Sequence, residues 1–172
     1  MEELFDTFDK DGNFLGVKPR SYCHSEGVDC YHKTVWIWII NDEKKVLVQR
    51  RAAKKSYMPL KWDMPSAGHV PSGEPILSAC IRETQEELGL TFQESDFIFQ
   101  TEFRSAVLHE FGQVYLLRAN FSIEDTSLQQ EEVAEIKWLS LEEFIPLLYS
   151  AEFVPHDLAY KDYVVQMLKE NL

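Results

Sequence analysis

The sequence predicts an α/β protein, a mixed sheet covered by helices as an α/β sandwich. Three observations predict it. Apolar, β-branched and aromatic runs of strand length recur along the chain. Those in the front half are joined by hairpin-type turns. One well-specified amphipathic helix lies among them, and two further helical stretches close the chain.

The elements follow in order. Residues 3–8 and 14–17 are short apolar-rich runs around Asp9-Lys10-Asp11-Gly12-Asn13, and Asp-Gly between two such runs signals a β-hairpin. Residues 18–33 read as polar and irregular. Thr34–Ile40 (TVWIWII) is a continuous apolar run, the pattern of a strand buried on both faces. Asn41–Lys44 is a turn, and Lys45–Gln49 (KVLVQ) is the partner strand. Residues 50–64 form a basic, proline-containing loop. A helix is expected over Pro75–Leu88, with Pro75 at its first position and Gly89 just past its end. Leu77, Cys80, Ile81, Thr84 and Leu88 share one face of it. Strand-like runs recur near 97–103, 112–122 and 133–139, and residues 141–149 and 157–170 read as helices. The expected organisation is one domain over 1–172, with 1–33 a hairpin and extension and 34–172 the core.

Composition bounds the function. With 172 residues, 45% hydrophobic and 27% charged, the chain has the balance of a folded globular protein. Seventeen basic against 29 acidic residues give a net charge of −12, which disfavours a nucleic-acid polymer or an anionic membrane as partner. Three cysteines, Cys23, Cys30 and Cys80, make no disulfide framework. The N-terminal residues lack the pattern of a signal peptide, and no apolar run reaches membrane-spanning length, so a cytoplasmic location is expected.

The helix carries the chemistry. Glu83, Glu86 and Glu87 fall on one arc, opposite the apolar face. Like charges at this spacing repel by a few tenths of a kcal/mol per pair, roughly, so helix propensity does not ask for them. A hard divalent cation does: Mg²⁺ takes carboxylate oxygens and bridges to substrate phosphates. The cluster therefore suggests metal-assisted chemistry on a phosphoanhydride. The bland alternative is a solvated acidic helix face.

The wider spacing overturns that alternative. Gly68, Glu74, Arg82-Glu83, Glu86-Glu87, Gly89 and Leu90 stand at intervals that resemble the Nudix box of the Nudix hydrolases. Every signature position matches, with Thr84 where an aliphatic residue is commoner. The resemblance implies a Nudix α/β/α sandwich that cleaves a nucleoside diphosphate linked to another group. It implies that Glu83, Glu86 and Glu87 hold Mg²⁺ or Mn²⁺, one of them serving as base, with the Gly68 carbonyl as a further ligand. Arg82 would orient the cluster by pairing with Glu74 or Glu86. Trp138–Glu143 resembles the strand-to-helix segment that follows in the family, and Glu131-Glu132 sits where a further metal ligand or base is found.

Residues 14–70 also resemble the subgroup related to isopentenyl-diphosphate isomerase. His24, His32, Val48 to Ala52, Lys55, Trp62 and Gly68-His69 carry the likeness. It implies a metal held by histidines resembling His24, His32 and His69, and a diphosphate gripped by Arg51 and Lys55. The departures favour hydrolysis. Ala67 stands where the isomerase has its acidic cysteine, and alanine has no proton to give. Leu108 and Glu110 align with two acidic positions, so one is missing, and Glu110 stays as a candidate second base. The Nudix box, degraded in the isomerase, is whole here. The expected function is hydrolysis of a small-molecule diphosphate. The rivals are isomerase activity and a non-catalytic nucleotide-binding module.

Other residues admit simpler readings. Lys44, Lys45, Arg50, Arg51, Lys54, Lys55 and Lys61 are seven of the 17 basic residues within 18 positions, a local funnel for an anion in an acidic chain. Cys23, His24, Cys30 and His32 are zinc-ligand types at a spacing that matches no finger. His32 and His69 are expected as satisfied polar residues near the cleft, with metal binding the alternative. Trp36, Trp38 and Trp62 are expected in the core. A homodimer through the N-terminal hairpin is compatible with the acidic surface.

Overall fold

Strand β3 (Tyr31–Ile40) organises a nine-stranded mixed sheet in a computed structural model that describes residues 2–25 and 27–172. It runs parallel to β8 (Glu110–Arg118) from His32↔Glu110 to Ile40↔Arg118. On its other side it pairs antiparallel with β6 (Ser66–His69), placing Thr34 opposite His69 and Trp36 opposite Ala67. Beyond β8 lies β7 (Phe97–Ser105). The end of β3 meets β4 (Lys45–Arg51), which pairs with β9 (Val133–Ser140) and with β5 (Trp62–Asp63). The N-terminal hairpin, β1 (Leu4–Phe8) and β2 (Phe14–Pro19), joins the start of β3 through Thr7↔His32 and Phe8↔Tyr31.

The TVWIWII run is apolar throughout because both faces of β3 are covered. Val35, Ile37 and Ile39 pack with Ala79, Cys80 and Leu88 of helix α2 (Ile76–Leu88). Trp36, Trp38 and Ile40 pack on the other face, against α3 (Leu141–Leu148) and α4 (Leu158–Asn171). This period of two is the pleat of the strand, and it yields the expected α/β/α layering. The indole of Trp38 is fully buried and still satisfied, since Nε1 donates to the Tyr160 hydroxyl at 3.0 Å.

Several boundaries differ from the sequence reading. The 18–33 stretch is not irregular throughout: a short helix, α1 (Arg20–Cys23), follows β2, and Tyr31–Lys33 already belong to β3. The 50–64 loop is bounded by strand on both sides, Arg51 ending β4 and Trp62-Asp63 forming β5. Strand β6 (SAGH) carries no strand pattern in its sequence, and tertiary pairing with β3 makes it one. Pro75 caps α2 with extended backbone (ψ 141°) and does not occupy its first turn, whereas Gly89 ends the helix in the left-handed region (φ 72°) as expected. None of the described helices is long and apolar enough to cross a membrane.

Candidate active site

Helix α2 lies against β6, and two of the glutamates turn inward there. Gly68 makes this geometry possible. A Cβ at Gly68 would stand 1.9 Å from Glu83 Cδ, so the Glu83 carboxyl occupies space that only glycine leaves free. Glu87 is buried and accepts a hydrogen bond from the Ala67 N–H (3.2 Å). Only the Glu86 side chain is half exposed (52%). The expected arc opposite the apolar face is therefore not a solvent face. The helix is rotated so that Ala79, Cys80, Thr84 and Glu87 are buried, while Leu77 and Ile81 are only partly covered.

Burial sets the electrostatics of this cluster. Loss of water pushes the Glu87 carboxyl up to about 8, the neighbouring Glu83 charge adds to the effect, and the Ala67 N–H opposes it. Glu83 is raised for the same first reason, partly offset by Arg82. Two crowded, desolvated carboxylates lacking a full complement of positive partners make a site prepared for a cation.

Arg82 is the tether. Its Nε and Nη2 grip Glu74 bidentately at 3.0 and 2.9 Å. Nη1 reaches Glu83 at 2.5 Å and Glu86 at 3.3 Å, and Nη2 also donates to the His69 carbonyl at 3.0 Å. One guanidinium thus ties the start of α2, its middle and the end of β6, and the Glu74 bonds above all hold its pKa up.

A second group of donors stands across the sheet. His24, His32 and His69 each bring a ring nitrogen within 4.8 Å of the others. Both nitrogens of His32 and Nε2 of His69 are buried without partners, so the expectation of satisfied polar histidines fails. Phe5 stacks on His32 (5.0 Å) and on His69 (4.9 Å), and Arg20 lies 3.2 Å from His69 Nδ1. Burial pushes His32 down to about 3 and His69 down to about 2, keeping both neutral, the form that binds metal. Cys23 and Cys30 are not part of this group and pack with Phe5 in a small apolar cluster, so the mixed Cys/His set is not assembled. Glu110 stands opposite His32 on β8, with Oε1 3.9 Å from His32 Nε2 and Oε2 accepting from the Thr34 hydroxyl at 3.2 Å. Burial lifts its carboxyl to about 7.

Glu83, Glu86, Glu87, Arg82, His24, His69 and Glu110 line one cleft of about 840 Å³, within the range of small-molecule sites, while His32 and Glu74 stand behind its wall. The expected basic funnel is reduced there to Arg51 and Lys55. Strand alternation sends Arg50 the other way, to Glu135 (3.3 Å), while Lys45 pairs with Glu43 and Lys61 with Glu152. Lys55 pairs with Glu132, and Glu131 is exposed. The Arg51 guanidinium is held by the Tyr57 carbonyl and by Asp63 Oδ2 (2.9 Å). Trp36 and Trp38 are core residues as expected, whereas Trp62 is partly exposed under the Lys137 ammonium. Asp63, His156 and Thr34 are site residues that the sequence reading missed. No motif marks them, and only the folding of β5, β3 and the segment before α4 brings them to the cleft.

The model of the NUDIX domain matches residues 31–159, three quarters of the chain. This chain belongs to the Nudix hydrolase family. Nudix hydrolase 3 of Arabidopsis thaliana is 35% identical over 171 residues, covering 91% of this chain but 22% of the plant protein, so the chain spans about a fifth of that relative's length. An uncharacterized Nudix hydrolase of Clostridium acetobutylicum is 31% identical over 86% of this chain and 74% of its own. The likeness to the isomerase subgroup is also real: an isopentenyl-diphosphate Delta-isomerase of Cutibacterium acnes is 31% identical over 83% of this chain and 76% of its own. The crystal structure of DR0079 from Deinococcus radiodurans superposes with a TM-score of 0.74 at 22% identity, over 96% of this chain and 99% of that one, and shares the Nudix fold.

Proposed function

We propose that this Nudix protein hydrolyses a diphosphate linkage in a small phosphorylated metabolite, with Mg²⁺ or Mn²⁺ held by Glu83, Glu86, Glu87 and the Gly68 carbonyl. The observation that carries this reading is the carboxyl of Glu83 seated where a Cβ of residue 68 would be, beside the buried Glu87. Such a cradle fits a cation: it crowds anionic oxygens, strips them of water and leaves Glu86 open to the cleft. A bound divalent cation supplies charge to the phosphoryl oxygens and acidifies nearby water. The chain supplies the rest. Arg82 fixes Glu83 and Glu86 relative to the His69 carbonyl. Arg51 and Lys55 hold positive charge at the cleft wall for the phosphates. Glu110, raised to about 7, is matched to accept a proton near neutral pH.

The orphaned nitrogens of His32 and His69 favour one addition, a separate cation site at His24, His32 and His69 near Glu110. Isomerisation is the weaker reading, because Ala67 puts no acid beside Gly68.

The test is phosphate and pyrophosphate release with Mg²⁺ across nucleoside diphosphate derivatives and isopentenyl diphosphate. Glu86→Gln should lower kcat by at least about 100-fold, the scale of losing a metal carboxylate. Its melting temperature should hardly move, since the side chain is half exposed. Conversion of isopentenyl to dimethylallyl diphosphate, with no release from any compound, would replace this reading with the isomerase.

A further inference from the structure

Strand register brings Arg51 and Asp63 together. β4 and β5 pair Gln49 with Asp63 and Arg50 with Trp62, and the Arg51 N–H donates to the Lys61 carbonyl at 2.9 Å. Side chains two apart on a strand share a face, so Arg51 and Asp63 stand on one face as diagonal neighbours, within reach of a long side chain. Asp63 is held before it meets Arg51. β5 has two residues and is stitched along both edges. One edge is β4. On the other, the Trp62 N–H donates to the Glu152 carbonyl and the Val154 N–H to the Trp62 carbonyl, both at 2.8 Å. Asp63 is 5% exposed; its Oδ1 accepts the Met64 N–H and its Oδ2 accepts from Arg51 Nη1, both at 2.9 Å. His156 Nε2 stands 3.6 Å from Oδ1, beyond hydrogen-bond reach.

The guanidinium is held from a second side. Its Nε and Nη2 donate to the Tyr57 carbonyl at 3.2 and 3.1 Å. The loop that carries this carbonyl is turned by two non-glycine residues in the left-handed region, Met58 (φ 47°) and Leu60 (φ 62°). Such backbone is sparsely populated and persists where the surrounding structure imposes it. Among the described residues, three of the five Arg51 N–H groups are engaged in this way. Two remain, on a side chain that lines the cleft.

We propose that Asp63 is a positioning residue, which holds the Arg51 guanidinium so that its two uncommitted N–H groups meet an oxygen of the diphosphate. The inference rests on the hydrolase reading for Arg51 as a phosphate contact. Stapling two strands does not require a buried ion pair, since apolar side chains of similar volume serve as well or better. The pair adds a fixed orientation of a planar fork. The sign of its effect separates this role from that of a bare charge. A carboxylate acting through charge alone repels an incoming anion, so removing it would tighten anion binding. A carboxylate that aims the guanidinium has the reverse effect, and only while Arg51 is present.

The experiment is a double-mutant cycle on the full chain, read by calorimetric binding of inorganic pyrophosphate with Mg²⁺. Arg51→Ala should weaken pyrophosphate about 10- to 100-fold, the range of hydrogen bonds to charged groups. Asp63→Ala should weaken it about tenfold or more, and Asp63→Asn, which keeps one acceptor oxygen, by less. In the Arg51→Ala background neither Asp63 change should have a further effect. Binding of Mn²⁺ alone should stay the same in every variant, because the glutamate cluster lies on α2. Thermal melting checks that each variant is folded, and if Asp63→Ala is not, Asp63→Asn carries the comparison. Tighter or unchanged pyrophosphate binding in a folded Asp63 variant would overturn the proposal. So would unchanged binding in Arg51→Ala, or a loss that persists in its background. A parallel loss of Mn²⁺ binding would make Asp63 merely structural and overturn it as well. Failure of the hydrolase reading appears separately, as absent phosphate release from the wild type while the pyrophosphate cycle stands.

Discussion

At the residue scale, absent atoms matter as much as present ones. Gly68 has no Cβ, and the Glu83 carboxyl fills the gap. That carboxyl ends a flexible side chain, so Gly68→Ala should be accommodated by moving Glu83. The expected outcome is a kcat reduced by about 100-fold or more with stability lowered by no more than about 1 kcal/mol, measured by turnover and thermal melting on one preparation. A melt as badly damaged as the turnover would place Gly68 in the fold and not in the chemistry. Gly112 is the opposite case. Its absent Cβ makes room for the rigid, buried Trp36 indole, which cannot swing aside. Gly112→Ala should cost about 1–3 kcal/mol in denaturant unfolding, the scale of overpacking a core.

At the element scale, helix ends and strand edges aim the site. Helix α3 starts on a capping box. The Ser140 hydroxyl accepts the Glu143 N–H (3.3 Å), and the Ser140 N–H donates to Glu143 Oε2 (2.9 Å). Ser140→Ala should therefore destabilise the chain by about 1 kcal/mol and leave KM unchanged, because no residue of α3 lines the cleft. A kinetic effect larger than the stability effect would tie α3 to the cleft. The trio of histidines shows what pairing alone can do. His24 follows α1, His32 is in β3 and His69 ends β6, and the sheet registers bring them together.

At the scale of the whole molecule, burial of charge links stability to pH. Glu87 titrates near 8 in the folded chain against 4.5 when free. Between those values the folded state holds a proton that the unfolded state lacks, so stability falls as pH rises. His32 and His69 act with the opposite sign. Their depressed values mean that stability is lost as pH falls below 6.5 towards 3 and 2. Between pH 6.5 and 8 the raised carboxylates, Glu87 and Glu110, dominate, since the buried cysteines and tyrosines act at higher pH. The melting temperature of the metal-free chain should drop between pH 6.5 and 8, at about 2–4 °C per kcal/mol for a chain of this size. Glu87→Gln should flatten that slope, and Mg²⁺ should raise the melting temperature more at pH 8 than at 6.5. A slope unchanged in Glu87→Gln would assign it to other groups, with Glu110 the next to test.

The sequence by itself determined the family, the layered α/β class and the helix that carries the glutamate cluster. Each rests on local information: the spacing of Gly68, Glu74 and the glutamates, the apolar run of β3, and the glycine that stops α2. It left open how deeply each glutamate is buried, because the rotation of α2 depends on what β6 offers, and β6 exists only through its pairing with β3. It overcounted the basic funnel, because strand alternation and acidic partners on other elements decide which cations face the cleft. It could not see Asp63 meeting both Arg51 and His156, the second 93 positions away (63 to 156), since no local rule encodes that contact. Chain-local propensity fixes what each segment can be. Long-range burial decides which polar groups lose water together, and those groups are the ones with chemistry to do.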